Sequence, residues 1–137
     1  GILWLHDYVG ESQFQHSDLR LSIANRLLEE IPESCRLNRM NGQLAGPIVR
    51  RKPGTLVSPF ESIRSGEILP IARSMFKVLA GSTSSSLLHL VAPVGTRGNY
   101  LASQETRALF RTIKLMDEVL IQTGVLEGAD ARFVLTK

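Results

Sequence analysis

Two stretches of this chain repeat apolar residues at helical spacing, and they constrain its fold more than any other feature. In the first, Leu19, Ile23, Leu27, Leu28 and Ile31 follow Ser17, whose hydroxyl suits the free amides of a first turn that also carries Asp18. Pro32 supplies the stop. In the second, Leu109, Ile113, Met116 and Leu120 recur after Ser103, and Gly124 is placed to end the run as a left-handed terminator. Both read as amphipathic helices that bury one stripe.

Between them the chain is punctuated. Asn41-Gly42, Gly46-Pro47 and Pro53-Gly54 break residues 36–57, which read as a long basic loop holding Arg50-Arg51-Lys52 and no acid. Ser58-Pro59-Phe60-Glu61 has the order of a helix start, with serine at the cap, proline in the first turn and glutamate placed to bond back. Gly66 interrupts that helix, and a further one carries Ile68, Ala72, Met75, Phe76 and Leu79 on one face before Gly81. Residues 82–86 read as a linker, 87–92 as a short buried element and 94–99 as a loop. Residues 2–9 suit a short helix or a buried strand, and 131–135 a short strand.

These elements predict a mainly α protein, a compact single-domain bundle of four or five helices with room for one short strand pair. Its expected core is Leu19, Ile23, Leu27, Ile68, Met75, Phe76, Leu79, Leu109, Ile113, Met116 and Leu120. At 137 residues, with 43% hydrophobic against 21% charged, the chain is one domain long and able to bury a core. Residues 1–137 are read as a single helical domain, and the apolar opening Gly1-Ile2-Leu3-Trp4-Leu5 as that of a piece of a longer protein. The longest apolar run, 87–94, is broken by His89 and Pro93 and is too short to suggest a membrane span. One cysteine, Cys35, excludes an internal disulfide and favours an intracellular setting, cytoplasm or nucleus.

The formal charge of +3 is unevenly spread. Residues 1–35 hold six acids against Arg20 and Arg26, a balance of −4; residues 36–114 hold twelve bases against Glu61, Glu67 and Glu105, a balance of +9; the remainder carries −2. Twelve of the sixteen bases are arginine, whose planar fork suits phosphate and carboxylate alike.

Candidate chemistry is sparse. His6, His16 and His89 lie near Asp7, Ser17 and Asp18 only in part, and no serine occupies a G-x-S-x-G elbow. Three scattered histidines and one cysteine show no zinc spacing. No catalytic residue, metal or cofactor is therefore expected. The sharpest local pattern is Gly95-Thr96-Arg97-Gly98, read as a glycine loop that lets backbone approach a phosphate. Arg107, Arg111 and Lys114 share the polar face of the long helix.

The expected function is that of a non-enzymatic protein-protein interaction module, an assembly subunit whose partner is another protein in a larger complex. The alternative is an RNA- or DNA-binding structural protein. Its contacts would come from Arg50, Arg51, Lys52, Gly95, Arg97, Gly98, Arg107, Arg111 and Lys114, and they would fall on phosphates rather than bases.

Overall fold

The computed structural model describes residues 1–50 and 61–137. Arg51, Lys52 and the expected helix start at Ser58-Pro59-Phe60 lie outside them. In chain order the described elements are β1 (Ile2–Tyr8), α1 (Asp18–Glu30), α2 (Glu33–Arg36), α3 (Ser65–Met75), β2 (Lys77–Ser84), α4 (Leu88–Val91), α5 (Val94–Arg97), α6 (Gln104–Gln122) and β3 (Asp130–Thr136). Short 3-10 turns cover Ser12–Phe14 and Gly98–Leu101.

The expected mainly α bundle is overturned. The fold is α+β, with 49% of the described residues helical and 19% in strands, and its organising layer is a three-stranded antiparallel sheet in the order β1-β3-β2. The last strand of the chain is thus the central one. It pairs with β1 from Ile2↔Thr136 to Tyr8↔Asp130, and with β2 from Lys77↔Thr136 to Ser84↔Asp130, with a bulge between Val78 and Ala80. The strand β2 escaped the sequence reading because Leu79 and Gly81 extend the helical spacing of α3, and because its Gly-Ser-rich second half lacks the β-branched residues of a clear strand. In place of a helix ending at Gly81, α3 stops at Met75 and the chain turns into the sheet. Pro70 lies inside α3, one turn beyond where a missing amide costs nothing.

Period-two alternation gives the sheet two different faces. Leu5, Ala131, Phe133 and Leu135 point to one side, where Ile68, Leu69, Ala72 and Phe76 of α3 and its following residue cover them. Gly81 sits beside Phe133 with φ +152, and a Cβ there would lie 2.4 Å from both the Phe133 ring and the Arg132 carbonyl oxygen. Glycine is therefore required for the central strand to carry a phenylalanine. Arg73 lays its guanidinium over the same ring, 5.4 Å from the centroid.

A second core is built by helices. Ala24, Leu28 and Ile31 of α1 and its end, Cys35 of α2, Leu87, Val91 and Ala92 around α4, Tyr100, Ile113 of α6 and Leu126 form one buried cluster. Ser17 caps α1 as expected, its hydroxyl oxygen accepting the Arg20 amide at 3.2 Å. The buried stripe, however, is Arg20, Ala24 and Leu28 rather than Leu19, Ile23 and Leu27, a rotation of about 100° around the helix. Leu19 is 51% exposed, and Ile23 and Leu27 are only partly covered. Met75, Leu79 and Met116 of the expected core are exposed as well; Ile113 is fully buried, while Ile68, Phe76, Leu109 and Leu120 are partly so. Gly124 ends α6 at φ +72, as its position requires. Among the described residues no helix is long and apolar enough to cross a membrane.

The two-faced sheet makes a direct contrast between chain neighbours. Phe133→Ala, which empties the covered face, should cost about 3–5 kcal/mol in urea denaturation, whereas Arg132→Ala on the open face should stay within about 0.5 kcal/mol. Equal effects would mean that the sheet is not one-sided.

Candidate functional site

Where the sheet meets the helical core, polar groups replace apolar ones. The chain leaves β1 through Glu11, turns at Ser12–Phe14, and enters α1 with His16 and Arg20 directed inward. Arg20 is 2% exposed. One guanidinium nitrogen donates to Glu11 Oε2 and the other to the Glu127 carbonyl just before β3. Glu11 also accepts from His16 Nδ1 and from the Ser17 amide, each at 3.3 Å. Burial alone would raise the Glu11 carboxyl, but the His16 hydrogen bond, its own amide and the Arg20 charge outweigh it and hold it at about 2.

His89, at the start of α4, completes the cluster. Its ring lies 5.7 Å from that of His16 and 6.2 Å from that of Tyr8. Nδ1 stands 2.6 Å from the Ser85 carbonyl oxygen. A carbonyl only accepts, so Nδ1 carries the proton and the buried Nε2, which has no partner among the described residues, presents a lone pair. Burial pushes the His89 pKa down, and His16 and Arg20 push the same way, against the Ser85 carbonyl and Asp130. Burial likewise drives the Tyr8 hydroxyl far up, with Glu11 adding to it. On α6, buried Asp117 accepts the Leu87 amide at the head of α4 and is pushed up by burial. In this arrangement Glu11 is fully used in holding Arg20, His16 and the first turn of α1. It acts as a structural anchor.

Among the described residues, most of the basic positions expected from sequence are engaged by protein acceptors. Arg50 is bound to the α1 end, donating to the His16 carbonyl and to Asp18 at 2.7 Å. Lys114 pairs with Glu118 at 3.7 Å. The glycine pattern at 95–98 is not a loop: Gly95 and Arg97 belong to α5, and Gly98 begins the 3-10 turn with φ −61. A Cβ on Gly95 would overlap the Asn38 side chain at 2.1 Å, so this glycine makes room for a protein neighbour. The structure adds Arg39, which the sequence reading passed over. It bonds the Asn99 side chain and lies against Gly98, next to Arg97. Arg97 donates to the Ala92 carbonyl and Arg107 to the Leu101 carbonyl, while Arg111 makes no ion pair among the described residues. Among those residues no group of His, Cys, Asp and Glu is arranged to hold a metal ion.

The other notable surface is apolar. On the open side of the sheet the register aligns Trp4, Val134 and Ala80 in one row across the strands, with Ile2, Thr136 and Lys77 beside it. Ile2 is 71% exposed and Trp4 66%. A second apolar strip lines the groove between α1 and α6, where Ile23, Leu27 and Met116 meet.

The buried histidine generates a pH dependence with a defined sign. A depressed native pKa means that the unfolded chain binds more protons, so the His89 contribution is whole above its ordinary value of 6.5 and is lost as pH falls through the native value. The Glu11 contribution is present above 4.5 and is lost toward about 2. Unfolding free energy should fall by up to about 1.4 kcal/mol per unit below pH 6.5, and His89→Gln should flatten the upper part of that decline. A stability unchanged from about pH 7 to pH 5 would exclude a buried neutral His89. In comparisons with known proteins the chain matches no family model, no curated sequence and no solved structure.

Proposed function

We propose that the chain is a non-enzymatic interaction module, a subunit that joins a protein partner through the open face of its sheet. The observation that carries this reading is the exposure of Ile2 and Trp4 on β1, an edge strand that pairs on its outer side with none of the described residues. Large apolar side chains grouped on a surface gain free energy when a partner removes them from water. The acidic–basic–acidic layout of the chain would steer a complementary partner into register. An intracellular setting accompanies this reading, since the single cysteine, Cys35, is buried in the helical core. A hydrophobic-surface dye should bind the folded chain, and Ile2→Ser with Trp4→Ser should remove most of the signal while leaving circular dichroism unchanged. Absence of dye binding, together with a single monomeric species in light scattering, would overturn the reading.

A second reading, attachment to RNA or DNA phosphates, draws on exposed Arg39, Arg97, Arg107 and Arg111. None of the four is ion-paired among the described residues, and the first three are braced by oxygen acceptors that carry no charge. Here Arg39→Ala, Arg97→Ala and Arg107→Ala together should weaken binding to all sequences, lowering the log affinity against log salt slope by about 0.7–0.9 for each phosphate no longer neutralised. No salt-dependent binding by the parent chain at low ionic strength removes this reading.

A further inference from the structure

We infer that β1 pairs with β1 of a second copy of this chain, antiparallel and centred on Trp4, to join two three-stranded sheets into one. This rests on the assembly-subunit reading and names its partner.

In an antiparallel ladder alternate residues turn both their amide and their carbonyl to the same neighbour. The Val9 amide bonds the Ala129 carbonyl, in the register that pairs β1 with β3 throughout. Counting back by twos, Asp7, Leu5 and Leu3 face β3, while Tyr8, His6, Trp4 and Ile2 face the open edge. The Tyr8 amide is already taken by the Asp7 side chain at 2.7 Å, consistent with this count. Among the described residues nothing pairs with this edge, which therefore offers Ile2, Trp4 and His6, three positions symmetric about Trp4.

That symmetry suits a two-fold interface, in which one patch meets itself. With Trp4 opposite Trp4 of the second copy, Ile2 falls opposite His6 and Leu3 opposite Leu5, and every free amide finds a carbonyl. Asp7, the only acid on the strand, falls opposite Gly1, so no like charges meet. The next symmetric register, centred on Leu5, would set Ile2 against Tyr8, whose amide is occupied. The Trp4-centred register also brings the two apolar rows, Trp4-Val134-Ala80, edge to edge on one continuous face.

The other edge is protected and β1 is not. Strand β2 carries Lys77 at its start, a bulge after Val78 and Gly81 with φ +152, all features that blunt an edge. Strand β1 has no lysine, proline or bulge and presents Ile2, Leu3 and Trp4 to solvent. A joint of one strand pair is smaller than the ~1,200–2,000 Å² of a tight complex, so a Kd on the order of 10 μM is expected.

Trp4 is the only tryptophan, which makes the test direct. Sedimentation should show a reversible species of twice the 15.1 kDa chain mass, and dilution through that transition should shift Trp4 emission to the red. His6→Pro removes an edge donor without touching the β1–β3 ladder and should weaken self-association at least about tenfold. Trp4→Lys, which sets two ammonium groups opposite each other, should leave a monomer; both variants should keep the parent circular dichroism. A parent chain that stays monomeric at every concentration overturns the inference, and if that monomer still binds dye the assembly reading survives with a different partner. A dimer that persists in both variants, with Trp4 emission unmoved by dilution, overturns it too and places self-association on another surface.

Discussion

Arg20 is the interaction on which the rest of the fold depends. The molecule has two cores, one between the sheet and α3 and one among the helices, and few apolar residues bridge them. Arg20 spans that joint from the first turn of α1, bonding Glu11 on the way out of β1 and the Glu127 carbonyl on the way into β3, 107 residues later in sequence. A buried guanidinium is tolerated only when its charge and donors are matched, so the position of both chain ends relative to α1 is set by one side chain. The cost is visible in its Nε, which has no acceptor among the described residues. A forked donor with two partners from opposite ends of the chain admits one alignment.

The sequence made the helices of this protein legible and concealed its sheet, for physical reasons. Helices α1 and α6 carry local signals: Ser17 and Ser103 as caps, Gly124 as terminator, apolar residues at helical spacing. Strand β3 is read only faintly from its own residues, because it is defined by two neighbours that lie at the far end of the chain and in its middle. Nothing local in Lys77–Ser84 announces a partner, and glycine at 81 looks like a helix stop until the Phe133 ring beside it is known. The candidate site was concealed in the same way. Arg20 heads the stripe that continues through Ala24 and Leu28, and Asp117 follows Ile113 by one turn on the apolar side of α6. A charge lying on an apolar stripe was the available signal, and in both helices it marks the residue that ties one element to another.

Reading α1 by its larger residues explains the misplaced core. Leu19, Ile23 and Leu27 form the more apolar stripe, yet the structure buries the one containing small Ala24 and charged Arg20. Close approach of α4 to α1 favours the small residue, and Arg20 must reach Glu127 from the same face. The leucine stripe is then left to line the groove with Met116. Helical spacing of apolar residues cannot by itself choose between two such stripes on one helix; long-range polar bonds decide.

These features bear on one another. A sheet of three strands has two edges for one interior strand, and here the interior strand is supplied by the end of the chain. The helical layer meets β1 where Tyr8 reaches Phe14 and His89, while at the other end of the strand Ile2 and Trp4 are exposed. The same Arg20 joint that fixes the helices at the Tyr8 end holds them there, and they cannot shift to shield Trp4 without breaking the bonds to Glu11 and Glu127. The open edge is thus a consequence of how the two cores are tied. Its amides are left to water or to another strand, and a strand with Trp4 at the centre of its free donors is suited to its own copy.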